Sequence, residues 1–160
     1  MNILVLTHAL NFILMISLGI GVGAFLARRF GLGWRLWWLG AATFVFSQVF
    51  HIPFNSLLNL LVRQGVLPWP AIRSQALLAS AIVGGLSAGV FEEVSRYLVL
   101  RFWVKDARSW RKGVLYGAGH GGMEAILLGL LAAYGYLQLM ALRGVELSKV
   151  VPAAQLALAQ

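Results

Sequence analysis

The chain is 160 residues long, 60% hydrophobic and 11% charged, with a mean hydropathy of +0.81. A soluble domain carries about 25% charged residues, so this composition excludes one and points to an integral membrane protein. The formal net charge of +8 is no nucleic-acid signature, because the basic residues sit in short segments between apolar runs, and the lack of cysteine excludes disulfide and thiol chemistry.

A helix needs roughly 20 residues to cross about 30 Å of hydrocarbon, and four segments are long enough. The first runs over residues 3–27. Its start, "MNILVLTHAL", has no basic n-region and no small-residue cleavage site follows. It is expected to be a retained span, not a cleaved signal peptide. His8 lies near its outer end and carries no evident role.

The second span covers 36–62 and bears a polar stripe, Gln48, His51, Asn55 and Asn59, spaced by three or four residues. Gln48, His51 and Asn55 are candidates to line a cavity. The alternative is interhelical contact, worth about 0.6 kcal/mol per residue. Pro53 is expected to kink this helix.

The third span, 74–103, contains "FEEVSRYLVLRF", with Glu92, Glu93 and Arg96 inside an apolar run. Helical spacing puts Gly85, Gly89, Glu93 and Arg96 on one face, with Glu92 flanking it. The fourth span, 113–142, contains "YGAGHGGMEA", in which Gly117, His120, Gly121 and Glu124 share a face. The tail 143–160 includes Pro152 and is too mixed to predict a fifth span. The expected architecture is all-α: a polytopic helical bundle forming one transmembrane domain over residues 1–160.

Orientation follows from Lys and Arg. The first and third loops hold Arg28, Arg29, Arg35, Arg101, Lys105, Arg108, Arg111 and Lys112, against Arg63, Arg73, Arg143 and Lys149 elsewhere. Eight against four predicts those two loops in the cytoplasm and the N-terminus outside, in a cytoplasmic membrane of bacterial type. All six tryptophans fall at predicted span edges, in keeping with interfacial anchoring.

Each acid or Arg at a span centre costs roughly 2.5–3.5 kcal/mol on insertion scales, so such groups are functional by default. Glu93 precedes Arg101 by eight residues and His120 follows Lys112 by eight, which sets both about 12 Å from the cytoplasmic ends of their helices. A short loop joins these spans, predicting antiparallel neighbours that bring Glu-Glu-Arg and His-Glu into one buried site. One carboxylate would activate water as a general base while the other orients it or shares its proton. His120 would polarise a carbonyl and steady its oxyanion, or bind a divalent metal such as zinc. Glu93, His120 and Glu124 are the candidate ligands for that metal. "GLSAG", residues 85–89, matches the serine-hydrolase elbow, but mid-helix it is expected to be small-residue packing.

Together, "EEVSRY", "GHGGMEA" and the upstream "HIPFN" resemble the YhfC-type intramembrane endopeptidases, related to the CAAX-protease and bacteriocin-processing group of glutamic or metal-type membrane peptidases. The resemblance covers most of the chain. It implies a membrane hydrolase with Glu92 and Glu93 as the catalytic pair and His120 with Glu124 as the second motif; the charge of Arg96 beside the pair is expected to orient it. A membrane protein or lipidated peptide would be its substrate. The broader group spaces its arginine one residue further along, as Glu-Glu-x-x-x-Arg. It also carries further C-terminal spans with another His motif, so this chain is expected to be a C-terminally truncated member. The same buried groups also suit a proton or ion relay, a transporter component or a non-catalytic membrane scaffold.

Overall fold

The computed structural model describes residues 3–142, which form four long helices with no strand among them. They are α1 (Ile3–Phe30), α2 (Arg35–Arg63), α3 (Arg73–Leu98) and α4 (Trp110–Ala141). A single π-helical turn, Val99–Trp103, extends α3. All four spans are long and apolar enough to cross a membrane, and no end departs from its expected position by more than three residues. Only a helix satisfies its own backbone in lipid, so each unbroken apolar run has one available structure. The runs stop where the chain must turn: Gly31 and Gly65 follow α1 and α2 at φ 63° and 73°. α2 runs as one helix through Pro53.

α4 is the central element. It packs along both α1 and α2, whereas α3 packs chiefly on α2. The third and fourth helices are neighbours through side chains, Glu92 reaching His120, but their backbones do not pack along each other as α2 and α4 do. A short loop dictates antiparallel order but not close backbone packing.

The glycines that let helices approach are also not those expected. A Cβ added at Gly40 of α2 would fall on the Tyr116 carbonyl of α4, and one at Gly119 on the Trp37 backbone. Gly85, Gly89, Gly117 and Gly121 have open space where a Cβ would sit. The tight α2–α4 seam is thus built by a neighbouring glycine set.

The buried core gathers at one end of the bundle, around Leu36, Trp37, Ala41, Val99, Val104, Leu115 and Tyr116. Tyr116 donates to Thr43 at 2.7 Å, and Thr43 donates to the Leu39 carbonyl at 2.7 Å. Trp37 is only 2% exposed, a core residue and not the interfacial anchor expected for every tryptophan. At the same end Arg35 pairs with Asp106 at 3.2 Å, and Lys112 donates to the Asp106 carbonyl at 2.9 Å. The exposed Arg35 pair is worth about 0–1 kcal/mol, but it shows that both basic loops share one end. Towards the other end the His8 and Tyr136 rings stack at 5.5 Å, tying α1 to α4.

A candidate membrane-embedded active site

Successive residues of a helix diverge by about 100°, so Glu92 and Glu93 cannot face the same way. The side chain of Glu92 is 18% exposed and that of Glu93 is 70% exposed. Arg96 donates to Glu93 at 2.6 Å and stands 3.8 Å from Glu92. Its charge is thus balanced mainly on the outer side of α3.

Glu92 instead meets α4. The Nε2 of His120 lies 3.3 Å from a Glu92 carboxylate oxygen, and the His120 side chain is 4% exposed. The ring is held by the edge-on Phe44 of α2, at 5.3 Å between centroids. Gly119 beside it brings the α4 backbone against Trp37. With the proton on Nε2, His120 donates to the carboxylate. Its Nδ1 is buried and has no hydrogen-bond partner among the described residues.

Glu92 and Glu124 both line a cavity of about 330 Å³ with Gln48, His51 and apolar groups such as Leu127 and Leu131. Three helices thus contribute polar groups to one chamber. Of the residues singled out from sequence, Glu92, Arg96, His120, Glu124, Gln48, His51 and Asn55 gather here or border it, while Glu93 turns away.

Ser87 was not singled out for this role. It lies 3.0 Å from His51 Nε2, which also contacts the Asn55 amide at 2.9 Å. The trio imitates a Ser-His-Asn triad, yet both partners sit on the same ring nitrogen. A working triad needs the orienting group on the opposite one. The signal in the sequence was the G-x-S-x-G match itself, whose serine does find a histidine but on a helix without an elbow.

The model of the YhfC intramembrane metalloproteases matches residues 14–159. The chain belongs to that family. A YhfC relative, described as an uncharacterized membrane protein of Bacillus subtilis (strain 168), is 38% identical over 124 residues, covering 75% of this chain and 45% of its own length. The chain therefore spans a little under half of that relative. No solved structure matches. Family and four apolar spans together make this a multi-pass membrane protein.

The YhfC family name implies a metal. Among the described residues, no group of three or more His, Cys, Asp or Glu is placed to hold one. With its Nε2–H given to Glu92, His120 has the outer partner that a metal-binding histidine normally has, and its buried Nδ1, without a partner among these residues, is the nitrogen that would ligate. Glu93, one of the three candidate ligands, is directed away to Arg96. The described residues thus offer His120 as one ligand of a metal and do not by themselves complete a metal centre.

Proposed function

We propose that this chain forms the catalytic part of an intramembrane endopeptidase in which Glu92 is the general base. The observation that supports this most is the contact of Glu92, which lines a cavity within the spans, with the buried His120 of another helix. Glu92 takes a proton from a water in the chamber as the oxygen of that water adds to the scissile carbonyl carbon. The Nε2–H of His120 fixes the carboxylate and steadies its charge, and Arg96 offsets that charge from 3.8 Å. When the tetrahedral intermediate collapses and the C–N bond breaks, Glu92 returns the proton to the departing amine. Glu124 supplies a second acceptor that orients the water. The substrate is a membrane protein segment, since only a chain within the bilayer meets a site at this depth.

The test uses proteoliposomes and a set of fluorescence-quenched transmembrane peptides. Glu92→Gln is expected to lower cleavage by about 10²–10⁴-fold, the usual loss for a general base. Glu93→Gln should retain most of it. Equal losses in both variants would sink the assignment of the base. Proton flux abolished by Glu124→Gln, with no peptide cleaved by the parent chain, would replace the peptidase with a relay.

A further inference from the structure

A second cavity, of about 310 Å³, lies between α2 and α3 towards the end opposite the basic loops. It is lined by Asn55, Asn59, Ser80 and Trp69 among others, with no ionisable side chain. Its volume is at the lower end of ligand sites, and at about 30 Å³ each it holds on the order of ten waters. Asn59 is exposed, lies one turn before the end of α2 at Arg63, and makes no side-chain hydrogen bond among the described residues, which leaves its amide free for water.

The outer cavity and the chamber of Glu92 meet through three side chains. Asn55 lines the outer cavity and contacts His51, which lines the inner one; Ser87 of α3 closes on the same nitrogen. Asn59 lies one helical turn, about 6 Å, beyond Asn55, a gap that one bridging water spans. On the basic side a cavity of about 360 Å³ is lined by Leu39, Ala42, Thr43, Phe46, Val99 and Trp103, and among the described residues its one side-chain hydroxyl, that of Thr43, is occupied by Leu39 and Tyr116. Val99, Leu115 and Tyr116, one to two turns from the site residues on their own helices, are 6%, 0% and 2% exposed and belong to the packed core.

We propose that the two cavities form one water route, which admits the hydrolytic water from the face opposite the basic loops, with His51, Asn55 and Ser87 as its neck. The purpose given to the route rests on Glu92 as the water-activating group; the route itself is a matter of access and is tested without cleavage. Asn59 and Ser80 form the mouth. The neck passes water by exchanging its own hydrogen bonds for bonds to water, which all three side chains can donate or accept.

The chain has no cysteine, so single replacements report without background. Ser87→Cys, which is nearly isosteric, is compared with the lipid-facing Leu86→Cys at the same depth, and Asn59→Cys with Leu57→Cys. Silver ion, small enough to follow water, is applied to one face of sealed vesicles, and the thiols left free are counted with a maleimide in denaturing detergent. From the face of the 64–72 loop, Ser87→Cys and Asn59→Cys are expected to react about tenfold faster than their controls, because each unit by which apolar surroundings raise a thiol pKa removes about nine-tenths of the thiolate. Ser87→Cys reacting no faster than Leu86→Cys, or reacting only from the basic face, would overturn the route. Labelling as expected in a chain whose Glu92→Gln variant still cleaves would keep the route and remove the mechanism.

Discussion

Arg96 is the residue on which the two adjacent carboxylates are sorted. It gives its short contact to the exposed Glu93 and leaves Glu92 to His120. Which of two neighbouring acids turns inward depends on the rotation of the helix about its axis, and two residues 100° apart straddle that choice. The sequence therefore yielded the cluster but not the member that faces the cavity. A second residue-scale expectation concerns Tyr116. Its hydroxyl donates to Thr43, which keeps its own bond to Leu39 if the tyrosine is shortened. Tyr116→Phe is expected to lower stability by about 0.5–1.5 kcal/mol, read from thermal unfolding in detergent, with cleavage retained. A collapse of folding in that variant would mean the bond holds the α2–α4 seam by itself.

At the scale of the helices, the seam makes a sharper demand. The backbone of α4 abuts Trp37 at Gly119, whereas Gly121, two positions on, faces open space. Gly119→Ala is expected to be destabilising by about 1–3 kcal/mol, because an overpacked site must shift backbone. Gly121→Ala should be neutral or stabilising by about 0.5–1 kcal/mol from helix propensity. Thermal unfolding of the two variants side by side decides it, and equal effects would refute the seam. Helix number and ends were legible because hydropathy and length suffice for them: spans of 26 to 32 residues leave few places to start or stop. Partners were not legible. "YGAGHGGMEA" offers glycines on several sides of one helix, and only the fold decides which side meets a neighbour.

Across the whole molecule, the Arg35–Asp106 pair places both basic loops at one end, with the packed core beside them and the polar cavities running the other way. The charge rule predicts that this end is cytoplasmic. A thiol tag in residues 64–72 should then react in intact cells, and one in residues 104–109 only after permeabilisation; the reverse pattern would invert the bundle and the side from which water enters. The arrangement of α3 has a further effect. It carries Glu92, yet Ser95 is its one buried residue and its chief support is α2, while His120 is set in the body formed by α1, α2 and α4. Among the described residues α3 is the helix least packed against the others. Integrity of the bundle and assembly of the site are then two separate equilibria. A harsh detergent could swing α3 away and silence the protein while its melting curve barely moved, and any ligand that clasps Glu92 to His120 would be felt first as a tightening of one helix.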